Sequence, residues 1–176
     1  IGTEELPPKS LADLERSFAS QVQDGLRGAT LGFSGLRSFA TPRRLAVLVG
    51  GLQLEQPVRT IEKRGPPVSV AFNADGSPTR AAVAFAEGCG VAVEAVGRME
   101  TPKGAWLFHS ATAPGRPATE LLTGIVTAAL AALPIPRRMR WGSGEAEFVR
   151  PAHWIVMLLG NVVLDAPVLG LVPGRT

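Results

Sequence analysis

Apolar residues recur at helical spacing near both ends of the chain. Between positions 11 and 26 they fall at every third or fourth residue, directly after a near capping box formed by Ser10 and Asp13. This spacing predicts an amphipathic helix that ends within residues 25–28. A second long apolar stripe predicts a helix over residues 118–133, which Pro134 ends because proline cannot continue a helix.

A shorter helix is predicted in the middle of the chain. Residues 73–76 have the composition of a turn, and Ser77 and Pro78 after them fit an N-cap and a first helical position. The alanine-rich residues 81–86 then form the helix, which the following glycines stop.

Strand patterns lie between and beyond these helices. Residues 44–49 are apolar and partly β-branched, and residues 59–64 alternate more weakly. The other predicted strands form a hairpin of residues 96–99 and 106–111 around a turn at 101–104, a hairpin of residues 154–159 and 162–164 around Gly160-Asn161, and a further strand at 168–171.

These elements predict an α+β fold in which an antiparallel sheet is packed by helices. Proline-rich segments lie at both ends of residues 65–136, so this segment is predicted to be an inserted helix-hairpin-helix lobe. Residues 1–64 and 137–176 would then form one sheet-containing domain. A single larger domain would show the same boundaries and stays open as an alternative.

Composition restricts the class of protein. The chain has 176 residues, 45% of them hydrophobic and 19% charged, which suffices for one good core or two small ones. No apolar run reaches the roughly 20 residues of a membrane span, and the single cysteine, Cys89, suits a reducing cytoplasm. The start at Ile1 and the stop at Thr176, just after a turn-like Pro173-Gly174, are typical of a piece of a longer protein.

Arginine is concentrated in residues 133–154, although the net charge is only +3. The guanidinium group binds phosphate oxygens two at a time and stacks on aromatic rings, so a nucleic acid is one predicted partner. The alternative is that these arginines form ion pairs with Glu145 and Glu147. Composition does not decide between nucleic-acid binding and local ion pairs. The first interpretation expects Arg137, Arg138 and Arg140 to face solvent and contact phosphates.

Catalytic patterns are absent from the sequence. His109 and His153 have no cysteine or carboxylate at the spacing of metal ligands. Neither the GxxxxGK(S/T) phosphate loop nor a GxGxxG motif after a strand occurs. Glu4 and Glu5 are adjacent and are interpreted as a structural or interface pair. The chain is therefore predicted to be non-catalytic, with no metal and no cofactor of its own.

Five phrases in order resemble the N-terminal region of the bacterial glycyl-tRNA synthetase beta subunit family. They are IGTEELPPK at 1–9, FATPRRLAVLV at 39–49, KRGP at 63–66, LPIPRRMRWG at 133–142 and FVRPAHW at 148–154. The resemblance implies a cytoplasmic aminoacyl-tRNA synthetase of protein biosynthesis, in which two alpha subunits form glycyl-adenylate from glycine and ATP with magnesium. Two beta subunits would capture and position the glycine tRNA. The region is also similar to the body and tail domains of archaeal CCA-adding enzymes.

The resemblance implies that the partners are glycine tRNA, the alpha subunit and the remainder of the beta subunit, with no membrane. This chain stops before the HD-type and anticodon-binding domains of the family. The candidate RNA contacts at the matching positions are Arg43, Arg44, Lys63, Arg64, Arg137, Arg138, Arg140, Trp141 and Arg150.

Structural roles compete with RNA contact at some of these positions. Arg44 is expected to tie a loop to Glu4 or Glu5, Arg150 to support a turn, and Trp106 and Trp154 to belong to the core. For the function of the whole chain, the alternative is a module that docks another subunit without contacting RNA. A nucleotidyltransferase needs a paired-carboxylate head for two metals, which the sequence does not supply.

Overall fold

The computed structural model describes residues 1–102 and 104–175, which fall into two compact units. The first unit consists of Ile1–Pro57 and Gly115–Thr176, and the second of Val58–Pro114. The helices are α1 (Leu11–Gly28), α2 (Val68–Ala71), α3 (Arg80–Cys89) and α4 (Ala118–Ala131). The strands are β1 (Gly2–Thr3), β2 (Gly35–Thr41), β3 (Arg44–Gly50), β4 (Arg59–Pro67), β5 (Gly97–Thr101), β6 (Gly104–Ala113), β7 (Met139–Arg140), β8 (Glu147–Phe148), β9 (Ala152–Trp154), β10 (Leu158–Leu159) and β11 (Val162–Val163).

The first unit is built on α1, where the sequence predicts a helix. Its buried side chains are Leu14, Phe18, Val22 and Leu26, which lie on one face at the predicted spacing. The predicted capping box does not form, because the Ser10 side chain makes no cap hydrogen bond. Burial of the apolar face therefore does more to define this helix than its N-terminal side chains.

A four-stranded antiparallel sheet covers α1, with strand order β2-β3-β1-β9. Strand β1 lies in the middle, so that Gly2 is opposite Arg44 on one side and Trp154 on the other. Strand β9 thus brings residues 152–154 of the last third of the chain into a sheet with the first third. However, β10 and β11 form a separate two-stranded hairpin, and β2 was not predicted.

The predicted strand at 168–171 is wrong. Val168 and Leu171 exchange two backbone hydrogen bonds of 3.0 Å, which closes a tight turn. Leu169 and Gly170 inside it have φ values of 52° and 75°, and two successive positive values are those of a type I′ turn. The segment turns back on itself because its central residues adopt this left-handed conformation.

The second unit is a three-stranded antiparallel sheet, β4-β6-β5, with α2 and α3 packed on it. Its small core contains Ala71, Ala82 and Leu107. The predicted hairpin is β5 and β6, although Lys103 of the predicted turn lies outside the described residues.

The predicted start of α3 is wrong by two residues, because Thr79 and not Ser77 precedes the helix. Ser77 belongs to the preceding turn, where its hydroxyl and its backbone N–H donate to the Asp75 carboxylate at 2.6 and 2.9 Å. These two hydrogen bonds hold the pKa of Asp75 below its usual range. The helix ends at Gly90 in the left-handed conformation, as glycine permits.

The boundaries of the two units differ from the predicted insertion at 65–136. Helix α4 belongs to the first unit, because Ala129 and Leu130 join the core that α1 lines. Strand β4 belongs to the second unit, because it pairs with β6. The second unit is therefore a sheet with two short helices, and the predicted helix-hairpin-helix grouping is wrong. Among the described residues, no helix is long and apolar enough to cross a membrane.

Candidate nucleic-acid interface

Arg43 and Arg44 lie where the chain turns from β2 into β3, and they make different contacts. Arg43 donates to the Glu4 carboxylate at 3.1 Å, and its Nε donates to the Thr3 carbonyl at 3.4 Å. The other oxygen of Glu4 is 2.8 Å from Nε2 of His153. The predicted tie to Glu4 thus exists, but Arg43 makes it and not Arg44.

Arg44 instead faces the indole of Trp154. Its guanidinium carbon is 5.7 Å from the ring centroid, within the range of a cation–π contact. The ring lies over Gly2, where any Cβ would clash with it. Trp154 is 39% exposed, so its predicted place in the core is wrong. The register of β9 with β1 places it on the outer face of the sheet, where the glycine beneath leaves room for the indole.

These residues surround one shallow depression of about 430 Å³. Its lining consists of Thr3, Glu4, Arg43, Arg44, His153 and Trp154. Two cations and two ring systems therefore face one opening, beside a single carboxylate that Arg43 already binds. Such a lining suits a planar or anionic group better than a cationic one.

The predicted cluster at 137–140 contains three arginines in three environments. Arg137 is exposed. Arg138 donates to the Ala131 carbonyl at 2.6 Å and so caps the C-terminus of α4. Arg140 lies on β7 opposite Glu147 and makes ion pairs of 3.3 Å with Glu145 and 3.9 Å with Glu147. The alternative of pairing with local carboxylates is confirmed for Arg140.

Trp141 and Arg150 both have structural contacts in the first unit. Trp141 is partly buried and packs against the main hydrophobic core. Arg150 donates from Nε to the Glu5 carbonyl at 3.0 Å and from Nη1 to the Val149 carbonyl at 3.1 Å. The expected structural role of Arg150 is confirmed.

Lys63 and Arg64 are neighbours on β4 in the second unit, and their side chains leave opposite faces of the sheet. The Lys63 ammonium group donates to the Gly88 carbonyl at the end of α3, at 2.7 Å. The Arg64 guanidinium carbon is 3.8 Å from the ring centroid of Trp106, which is half-buried. The nine candidates thus form separate groups. Arg43 lines one depression with Arg44 and a second with Arg150.

Two further residues on the same outer face, Arg37 and Phe39, were not among the candidates predicted from the sequence. They lie on the unpredicted strand β2, with the Arg37 guanidinium carbon 5.3 Å from the centroid of Phe39. The available signal was the two-residue turn at Pro42-Arg43, directly before the predicted strand at 44–49. Among residues 1–102 and 104–175, no group of three or more histidine, cysteine or acidic residues is placed to hold a metal.

Comparison with known proteins identifies the family. The family model described as "Glycyl-tRNA synthetase beta subunit" matches residues 1–176. The chain belongs to this family. The beta-subunit family explains why the five phrases recognised in the sequence occur together and in this order.

Curated relatives carry the name "Glycine--tRNA ligase beta subunit". The chain is 51% identical over 176 residues to the proteins of Glaesserella parasuis and Haemophilus influenzae, and 49% identical over 175 residues to that of Marinobacter nauticus. These alignments cover 100%, 100% and 99% of the chain, but 26%, 26% and 25% of the relatives. The chain therefore spans about a quarter of the length of these beta-subunit relatives.

In this member of the beta-subunit family, phrases that are far apart in sequence meet in space. Residues 1–9 supply β1, residues 39–49 supply most of the β2–β3 hairpin, and residues 148–154 supply β9. All three contribute to the same four-stranded sheet and to its outer depression.

Proposed function

We propose that this chain is the N-terminal region of the beta subunit of a glycine–tRNA ligase and that it binds tRNA without performing chemistry. The observation that carries the proposal is the match of the beta-subunit family model to residues 1–176. The similarity to the body and tail domains of CCA-adding enzymes, predicted from the sequence, belongs to the same proposal.

Three arginines support contact with RNA phosphates. Arg44, Arg64 and Arg137 are exposed, and none of the ion pairs among the described residues includes them. Arg44 and Arg64 lie on tryptophan rings, which hold a guanidinium group in place while its edge stays available to an anion. We therefore assign phosphate contact to these three rather than to the carboxylate-paired Arg43 and Arg140.

The remaining parts of the reaction lie elsewhere in this proposal. Glycine activation with ATP and magnesium is assigned to an alpha subunit, with which the beta subunit would assemble in the cytoplasm. The chain itself would supply orientation and affinity, for which phosphate contacts suffice.

The test compares two sets of variants in the assembled full-length enzyme. Replacement of Arg44, Arg64 and Arg137 together by glutamine should lower tRNA affinity and flatten the slope of log K against log salt by about 2 to 3, since each phosphate contact contributes about 0.7 to 0.9. The matched control replaces Arg43, Arg138 and Arg140, which removes the same charge from residues with internal partners. Equal slopes in both triple variants would refute the assignment.

Subunit docking remains the second candidate, because large apolar side chains are exposed in the first unit. Leu54 is 68% exposed and Val172 is 68% exposed. Substitutions at these positions that dissociate the enzyme, together with unchanged tRNA affinity in the arginine variants, would favour docking.

A further inference from the structure

The outer face of the first sheet is open and carries a regular pattern of side chains. We call the open face the surface formed by Arg37, Phe39, Arg44, Leu48 and Trp154. Register places them on one side of the sheet, with Arg37 opposite Leu48. The intervening residues point the other way, toward α1 and the core, as Leu45 does at 1% exposure.

Large apolar groups on the open face are exposed to solvent. Phe39 is 47% exposed, Leu48 is 54% exposed and Trp154 is 39% exposed. Several large apolar side chains exposed on one face of a sheet are typical of a surface that binds a partner.

Each aromatic ring on the open face has an arginine beside it. Arg37 lies over Phe39, and Arg44 lies over Trp154, with guanidinium carbons 5.3 and 5.7 Å from the respective centroids. Residues 35–50, which form the β2–β3 hairpin, contain three arginines and no acidic residue. The nearest carboxylate at the rim of the depression, Glu4, is already bound by Arg43 and His153. The charge of the face therefore selects an anionic partner.

The two rings are well separated on the open face. Phe39 lies on β2 opposite Ala46, whereas the Trp154 ring lies over Gly2 on β1. Neighbouring strands are about 4.8 Å apart, so β2 and β1 are separated by roughly 10 Å in the sheet. Arg44 lies between them on β3, opposite Gly2, so the rings form separate platforms with an arginine between them.

We propose that the open face stacks unpaired bases of a bound RNA on Phe39 and Trp154, while Arg37 and Arg44 contact the adjoining phosphates. This inference deepens the proposed function and rests on it. Aromatic side chains interleaved with arginines on an open sheet suit single-stranded RNA, because every base has a flat face and every nucleotide a phosphate. An anionic protein partner would fit the charge but would not need two separate flat rings.

The test separates stacking from hydrophobic contact in the assembled full-length enzyme. One double variant, Phe39→Leu with Trp154→Leu, keeps apolar side chains and removes the rings. The matched control, Phe39→Tyr with Trp154→Phe, keeps the rings. The probes are a short oligouridylate, a duplex RNA of the same length and a glycine tRNA transcript.

The leucine variant should bind oligouridylate about 5- to 150-fold more weakly for each base that loses its stack. Its salt slope should stay unchanged, because no charge is removed. The ring-preserving variant should bind like the original protein. Binding of oligouridylate should also quench tryptophan fluorescence in the original protein, and replacement of Trp154 alone should remove most of that quenching.

Several results would overturn the inference. Original affinity in the leucine variant would exclude stacking, and loss of subunit assembly with normal oligouridylate affinity would make the face a protein interface. If the enzyme binds tRNA but not oligouridylate, the inference fails while the proposed function stands. If it binds neither RNA in a folded assembly, both fail. Melting curves of the variants show whether each is folded.

Discussion

Replacement of Arg150 by methionine distinguishes a structural arginine from one that binds RNA. The guanidinium group joins two backbone carbonyls, those of Glu5 and Val149, at 3.0 and 3.1 Å. It thereby ties the segment that follows β1 to the residues that precede β9. Methionine keeps much of the apolar stem and removes both donors, so packing changes little while the two hydrogen bonds are lost.

The expected loss of stability follows from these two contacts. A hydrogen bond from a charged donor contributes about 1.5 to 3 kcal/mol when buried, and partial exposure of Arg150 lets water replace some of that. We therefore expect a loss of about 2 kcal/mol. A protein of this size loses roughly 2 to 4 °C in melting temperature per kcal/mol, which gives a decrease of about 4 to 8 °C.

The assay is thermal unfolding followed by circular dichroism, together with salt-dependent tRNA binding by the assembled enzyme. Arg137→Met is the control for stability, because Arg137 is exposed and surface substitutions usually change stability by less than about 0.5 kcal/mol. Its salt slope should become flatter, because Arg137 is assigned a phosphate contact. A melting temperature of Arg150→Met equal to that of the original protein, combined with a flatter salt slope, would refute the structural assignment.

Three further outcomes are expected. Gly2→Ala should displace the indole of Trp154, because a Cβ at position 2 would overlap the ring; the emission maximum of that tryptophan should shift to longer wavelength, and unchanged emission would contradict the packing. Phe148→Ala should cost about 3 to 5 kcal/mol, since Phe148 is completely buried; chemical denaturation measures this, and a loss below about 1 kcal/mol would contradict its place in the core. The isolated chain should not catalyse glycine-dependent exchange of pyrophosphate into ATP, and exchange above a blank without protein would refute its non-catalytic role.

Local periodicity predicted the elements that carry strong patterns. Helices α1 and α4 were predicted because their apolar residues repeat at helical spacing, and strand β3 because residues 44–49 are apolar and partly β-branched. The prediction that α4 belongs to the inserted lobe was wrong for a physical reason. Its apolar residues extend around much of the helix surface, so the pattern shows that the helix is buried without showing which core receives it.

The contacts of individual side chains could not be predicted from the sequence. The sequence identified arginines at positions 43 and 44 and a carboxylate at position 4, but the arginine that binds Glu4 depends on which side of the sheet each faces. That choice is set by the register between β1 and β3, which no local pattern encodes. Strand β2 was missed for a related reason, because its identity as a strand depends on pairing with β3.

The position of β1 also affects the order in which the protein can fold during synthesis. Thr3 pairs with Ala152, so the ribosome must add about 150 residues after β1 before β9 exists. At roughly 5 to 20 residues per second, this delay is about 8 to 30 s. The second unit is continuous in sequence and can complete its own contacts within that interval. Meanwhile the first sheet has an unpaired edge, and such edges associate readily with other chains. We therefore expect the edge of β1 to need protection from association until β9 emerges.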